Sequence, residues 1–515
     1  MLRALRILLL SASLLLPMTL MSGKSITSDE VAHIPAGYSY LKTGVIKLNP
    51  MHPPLIKEIC ALPLFILGVH VPIDGNALEK LDLPLSFQWT FGNAFLAHQD
   101  VERLVFAARI PAVLLSVGLV AVVMVWATEL WGPWGGALAG LLYVLDPTLT
   151  AHAQLVTTDV GLAFFATLFF YALRRHLKSP SAGRLLFAGA TLGLALGAKF
   201  SAVLLLPIAG VLAAMSSRNL PKRIFAVLAV GLMAAVAYAM LWVIYLFPRD
   251  PLFYLHGLQT VNEDHSRGYL FLMLGKLHEG KWPLYLPIAW LLKTPLPSLI
   301  LLAASVVVFV RGRRAAWLEE AFLAVPALGF FLANAFFADP IGVRYLIPCF
   351  PFFFIFTARL APAAVAVWQR VAVGVLVAWS LVEFLAIWPD HLSYFNEIAG
   401  GPRHGIEWLG DSNVDWGQGL LQLRDYLRDH PVDDFRICTA GSFDPAYYGI
   451  RGKKIEIGAL TTPPEPGTWI LSAHCVAWAR AWMARFYGND PENWLAHAVP
   501  KAIVGHAFYV YEISP

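Results

Sequence analysis

Two adjacent acids, Asp29 and Glu30, open a stretch that also carries His33, His52 and Lys57: SDEVAHIPAGYSYLKTGVIKLNPMHPPLIK, residues 28–57. A carboxylate can take the proton of an attacking hydroxyl, and a nearby cation can neutralise a departing phosphate. Both kinds of residue stand here. The acids come only a few residues after an apolar run, which puts them at a membrane–water boundary and not in lipid, where a carboxylate costs about 3 kcal/mol or more. An acid pair or a proline pair after a helix is ordinary interface when it stands alone. The clustering with His52 and Lys57 is what points to a reactive site.

Other candidates are scattered along the chain. Asp159, in LVTTDVGL, is expected on the same face as Asp29, so that two acids share one site; Thr157, Thr158 and Asp159 also suit a helix N-cap, and the two roles are compatible. Lys199 in GLALGAKFSA, and Arg344 with Tyr345 in GVRYLIP, are expected at outer helix ends, where cations hold a lipid-linked phosphate. The planar fork of Arg344 matches phosphate, whereas Lys199 also fits simple snorkelling to the interface. Lys293 in WLLKTPLP raises the same question. The runs YFNEIAGGP (394–402) and DSNVDWGQGL (411–420) suit carbohydrate or polar acceptor contact, or equally a tight turn capping the membrane part. Asp29, Glu30 and Asp159 together could hold a divalent cation, but the histidines lack HExxH spacing and the cysteines lack CxxC, so metal use is left open.

These residues must be positioned by a membrane scaffold. The chain of 515 residues is 58% hydrophobic and 14% charged, with a mean hydropathy of +0.61, more apolar surface than a soluble domain buries. A net charge of +4 reports loop sidedness before any partner, and no nucleic-acid reading follows. Arg3 and Arg6 before an apolar run to about Met21, with no small-residue cleavage site after it, predict a retained first helix with a cytoplasmic N-terminus. Residues 23–103 and 248–297 read as two large outer loops, and every basic cluster between spans, including Arg174, Arg175 and Lys178, Arg218, Lys222 and Arg223, and Arg311, Arg313 and Arg314, falls on one face. The fold class expected is an all-α polytopic membrane protein with about eleven transmembrane helices over residues 1–388, followed by a small α/β extracytoplasmic domain at 389–515. DFRICTA and TWILSA are its apparent strands and GLLQLRDYLRDH its helix. Cys438 and Cys475 could pair there, if the geometry permits.

Taken in order, Asp-Glu after the first span, HPPLIK, TTD, GLALGAKF, WLLKTPLP, GVRYLIP and SNVDWGQ resemble the GT-C glycosyltransferases of the protein O-mannosyltransferase type, family 39, and among them the bacterial members that use a phospholipid carrier. The resemblance runs from residue 28 to about 420. It implies transfer of a sugar from a polyprenyl-phosphate donor to an acceptor hydroxyl at the outer face of a bacterial inner membrane, commonly with inversion. It further implies Asp29 as base with Glu30 its partner, Asp159 as the second acid, and Lys57 and Arg344 near the donor phosphate. Together with the residue reading it gives Asp29, Glu30 and Asp159 as catalytic candidates and His52, Lys57, Lys199, Lys293, Arg344 and Tyr345 as substrate-binding candidates. Where related sequences read DWGQD this chain has Gly419. The partners expected are the lipid-linked donor, a hydroxyl acceptor (protein, lipid or glycan) and the bilayer. A transporter or flippase of lipid-linked sugars, or a non-catalytic accessory subunit, are the rival readings; the former calls for ionisable groups at mid-membrane and paired repeats.

Overall fold

The computed structural model describes residues 2–97, 99–265, 269–312, 317–487 and 494–514. Helix α1 (Leu2–Met21) is followed by four helices that are not long and apolar enough to cross a membrane: α2 (Ser28–Thr43), α3 (Leu55–Ile66), α4 (Gly75–Lys80) and α5 (Phe87–Leu96). α6 (Val101–Val144) is a single 44-residue helix broken at Gly132, whose φ of 76° no helix accommodates, with Pro133 next to it. Then come α7 (Pro147–Ala153), α8 (Thr158–Lys178), α9 (Ala182–Ala198), α10 (Leu205–Met215), α11 (Leu220–Ile244), α12 (Phe253–His265), α13 (Tyr285–Lys293), α14 (Leu296–Arg311), α15 (Trp317–Phe337), α16 (Phe350–Thr357), α17 (Leu360–Ala363) and α18 (Val367–Ala386).

Among the described residues six helices are long and apolar enough to cross a membrane, and eight if each of two bent pairs, α7 with α8 and α13 with α14, is one span. The other expected spans fall on the second arm of α6, on α9 and on α10, which are shorter than the roughly 20 residues a crossing needs. Of the basic residues used to assign sidedness, Arg313 and Arg314 lie outside the described residues.

The expected first outer loop differs most from its forecast. It is largely helical, and α2 within it is enclosed: Val31, Ile34, Tyr38 and Tyr40 are all buried, and neighbours close on it from two sides. A Cβ on Gly37 would stand 2.0 Å from the Lys57 carbonyl oxygen of α3, and one on Gly92 of α5 would stand 2.0 Å from the Val31 carbonyl oxygen. Only glycine permits backbones this close. The second outer loop holds a hairpin, β1 (Leu270–Met273) and β2 (Lys276–Glu279), that the sequence reading did not foresee.

Beyond α18, α19 (Gly405–Trp408) and α20 (Leu420–Asp429) lead to a five-stranded sheet of β3 (Phe435–Cys438), β4 (Lys453–Lys454), β5 (Gly467–Ser472), β6 (Ala502–Val504) and β7 (Phe508–Ile513), in the order β4-β3-β5-β7-β6. α21 (Ala473–Tyr487) and α22 (Trp494–His497) complete the α/β unit. Both forecast strands and the forecast helix are present, and Cys438 on β3 is disulfide-bonded to Cys475 on α21. The boundary set at 389 follows composition and not contact. Residues 390–418 are tied into the helices: Lys24 is paired with Asp390, and the Asn396 amide donates to the carbonyls of Leu291 and Thr294 at 2.6 and 2.9 Å.

Candidate functional site

Asp29 and His33 lie one turn apart on the first half of α2, and the segment before them is anchored to the C-terminal part by backbone pairing. Ser25 N–H donates to the Gln418 carbonyl (3.1 Å) and Ser28 N–H to the Trp416 carbonyl (3.0 Å), while Ser25 Oγ donates to the Gly417 carbonyl (2.7 Å). The DSNVDWGQGL run therefore acts first as a brace for the acids. Gly419 has no room for the acid found in related sequences, because a Cβ there would meet Ala507 at 2.6 Å.

Asp29 lines a cavity of about 490 Å³ together with His33, His52, Arg344, Asp411 and His474. Arg344 Nη1 donates to Asp29 Oδ2 at 2.8 Å and stands 3.9 Å from Asp159 Oδ2; Lys199 Nζ holds Asp159 Oδ1 at 2.5 Å. The Arg344 guanidinium rests 4.3 Å from the Trp416 ring centre, and Lys199 Nζ lies 4.4 Å from that of Tyr345. Two acids from separate elements and two cations thus form one charged cluster, as the sequence reading expected. Asp159 does not act as a cap, since its carboxylate is spent on these cations. Burial alone would raise the Asp29 carboxyl, but Arg344, with His33 and His52 beside it, holds it below the usual aspartate range. A second, more apolar cleft of about 700 Å³ adjoins the cluster, sharing Met51, His52 and Tyr345 and lined further by Lys199, Phe200 and Leu204.

Three candidates are placed elsewhere. Glu30 is fully buried and faces away from the cavity; its Oε1 accepts from Arg109 Nε (2.8 Å) and Val156 N–H (3.0 Å), and its Oε2 from Arg109 Nη2 (2.6 Å) and Thr27 N–H (2.9 Å). Lys57, also fully buried, donates to Asn49 Oδ1 (2.8 Å) and to the carbonyls of Asn49 (2.8 Å) and His52 (2.7 Å). Lys293 donates to the carbonyls of Leu392 (2.7 Å) and Asn413 (2.5 Å). Each has its polar capacity filled by protein, so each positions a neighbour of the site and none reaches the cavity. The same geometry corrects the cation set Asp29, Glu30 and Asp159: Glu30 is turned to Arg109, and Asp159 to Lys199 and Arg344.

Two lining residues lie in the 411–420 run that the sequence reading flagged as a whole without singling them out, and His474 was not flagged. Asp411 and Asp415 line the cavity, and burial pushes both carboxyls up, opposed by His474. Asp411 has a φ of 57°, a conformation that non-glycine residues hold only when the surroundings impose it. His474 has no sequence signal of its own. Arg109 does: it is a lone charge in the apolar run of α6, where an ionisable residue calls for a partner.

The model of the dolichyl-phosphate-mannose-protein mannosyltransferase family matches residues 94–243. The lipopolysaccharide core galacturonosyltransferase RgtB of Rhizobium johnstonii is 40% identical over 101 residues, 20% of this chain and 20% of that protein, so the matched stretch spans about a fifth of that relative. Among solved structures, ArnT from Cupriavidus metallidurans bound to undecaprenyl phosphate superposes with a TM-score of 0.52 at 12% identity, covering 99% of this chain and 98% of that one. Its apo form gives the same TM-score at 13% identity over 98% and 97%. The resemblance read from the motifs and the expected fold class are borne out: the chain has the GT-C architecture, a polytopic helical body with a small sheet-bearing C-terminal part.

Proposed function

We propose that this chain is a membrane glycosyltransferase that moves a sugar from a polyprenyl-phosphate carrier to an acceptor hydroxyl at the outer face of a bacterial inner membrane. The observation that carries this reading is the junction of two spaces at one charged cluster: a polar cavity holding Asp29, and an apolar cleft reaching Lys199 and Tyr345. An isoprenoid chain suits the cleft, its phosphate the cations Arg344 and Lys199, and its sugar the polar cavity. The fold shared with ArnT, whose structure holds undecaprenyl phosphate, supports this placement.

In this reading Asp29 takes the proton of the acceptor hydroxyl as that oxygen attacks the anomeric carbon. The bond from that carbon to the phosphate oxygen breaks, and the lipid phosphate leaves with the electron pair. Arg344 bridges base and leaving group, so it orients the carboxylate and receives the charge that develops on phosphate. A single displacement inverts the anomeric centre and needs one base and no covalent sugar intermediate. Asp411, Asp415 and His474 line the same cavity, and in this reading they meet the incoming hydroxyl group.

The test is release of labelled sugar from a polyprenyl-phosphate donor by the purified protein in lipid, comparing wild type with Asp29→Asn. Turnover in wild type, and its loss in a variant that still binds donor, supports the reading. Donor binding without cleavage in wild type, with donor moved across the bilayer, would replace it by the transporter reading. Binding with neither outcome would leave an accessory subunit.

A further inference from the structure

We propose that Asp29, His33 and His52 form a binding site for a divalent transition-metal ion of the zinc class on the wall of the cavity. Each residue offers one ligand atom, and these atoms lie within 4.8 Å of one another. The two from α2 are four residues apart and so project from one face of the helix. The third comes from the loop before α3, where Lys57 grips the His52 carbonyl at 2.7 Å. The buried lysine that does not reach the cavity thus fixes the position of a residue that does.

The tautomers favour a metal. His33 Nδ1 lies 2.8 Å from the Val156 carbonyl oxygen, and His52 Nδ1 lies 2.5 Å from its neighbour Met51's carbonyl oxygen. A carbonyl only accepts, so in both rings the proton sits on Nδ1 and the lone pair on Nε2. Among the described residues neither Nε2 has a hydrogen-bond partner. A backbone carbonyl that orients an imidazole through its far nitrogen is the usual outer support of a metal-binding histidine.

Asp29 contributes in the same way. Arg344 occupies Oδ2, and among the described residues Oδ1 has no hydrogen-bond partner. Two imidazoles and one carboxylate suit zinc and its neighbours and not magnesium or calcium, which take oxygen donors. Tetrahedral zinc with bonds of about 2.0–2.1 Å holds its ligands roughly 3.4 Å apart, so small side-chain rotations close the set. The fourth position faces the cavity. Arg344, Lys57 and Lys199 are the cations that oppose the ion, and Asp159 offsets part of the charge of Arg344 and Lys199. An ion on Asp29 Oδ1 would take the lone pair that the base role needs, so zinc binding and sugar transfer would exclude each other, and the site is tested without turnover.

The experiment uses full-length, tag-free protein in lipid nanodiscs, titrated with Zn²⁺ against a chromophoric chelator and separately with Co²⁺ followed by visible absorption. One Zn²⁺ per chain, a Co²⁺ spectrum of a four-coordinate site that zinc bleaches, and no competition from Mg²⁺ are expected. His33→Ala and His52→Ala should each weaken binding about tenfold or more. His474→Ala, which removes a cavity-lining histidine outside the set, should leave it within about twofold. Absence of stoichiometric zinc and of the cobalt bands in wild type overturns the proposal, as does binding that survives both histidine variants or is lost with His474. If the histidine variants fail to fold, the wild-type cobalt spectrum decides.

Discussion

Arg344 Nη1 donates to Asp29 Oδ2 at 2.8 Å and so joins the first turn of α2 to the start of the 3-10 turn Val343–Cys349, 315 residues away. The bond keeps a buried carboxyl ionised, which a base requires. Asp29→Asn keeps the size of the side chain and removes its basicity. We expect kcat to fall by roughly 10²–10⁴-fold. Donor affinity should change little, as measured by binding of a non-transferable lipid phosphate.

Arg344 also serves Asp159 and rests on Trp416, so a point charge cannot replace its planar fork. Arg344→Lys should be nearly as poor as Arg344→Ala, each losing about 10²–10³-fold in kcat/KM. A lysine variant with wild-type kinetics would show that charge alone suffices.

The pair also sets the pH dependence. A base works in its ionised form, and Arg344 holds Asp29 below the ordinary aspartate value, so kcat should be flat from neutral pH well into the acid range. Burial, the largest influence on this carboxyl, acts upward. In Arg344→Gln it is opposed only by the histidines, and the acid limb should move to higher pH. An unmoved limb would mean that the limb reports another group.

Glu30 was read as the catalytic partner of Asp29 because the two are adjacent, yet adjacent helical residues face about 100° apart. Facing inward, Glu30 pairs with Arg109, both fully buried. Glu30→Gln should destabilise the fold by about 3–5 kcal/mol, because it leaves a buried guanidinium uncompensated. Thermal unfolding in detergent measures this. Activity per folded molecule should stay within a few-fold of wild type, the outcome a catalytic Glu30 would not give.

The sequence made some of this legible and hid the rest for identifiable reasons. Asp29, Asp159, Lys199 and Arg344 are ionisable residues at the ends of apolar runs, and such residues converge because each has few other partners. Composition also foretold the change of character after Pro389. Lys57 and Lys293 looked the same as Lys199 in the sequence, because nothing local tells a lysine whose donors are filled by distant carbonyls from one facing a cavity. Asp411 and Asp415 lay in a run flagged as a whole, with no single residue picked out, and His474 was hidden because it comes from α21 of the C-terminal unit and reaches the cavity only through the fold. The burial of α2 on several sides depends on Gly37 and Gly92, whose close approaches no periodicity reveals.

Lys57 and Lys199 therefore allow a comparison that separates positioning from binding. Lys199 lies at the start of the apolar cleft with its ammonium on Asp159, where an arriving phosphate can share it. Lys57 is enclosed by Asn49 and His52 and serves the loop between α2 and α3. Lys199→Ala should raise donor KM by about tenfold, since it removes one charge-assisted bond to phosphate, and should also lower the unfolding temperature, because it leaves the buried Asp159 carboxylate with only Arg344 nearby at 3.9 Å. Lys57→Ala leaves Asn49 Oδ1 and the His52 carbonyl without their donor, each costing about 1–3 kcal/mol, so it should lower the unfolding temperature markedly and reduce the yield of folded protein. Donor KM of the protein that does fold should stay near wild type. The opposite pattern, a stable Lys57→Ala with weakened donor binding, would return Lys57 to the phosphate site and require the loop at His52 to open when donor binds.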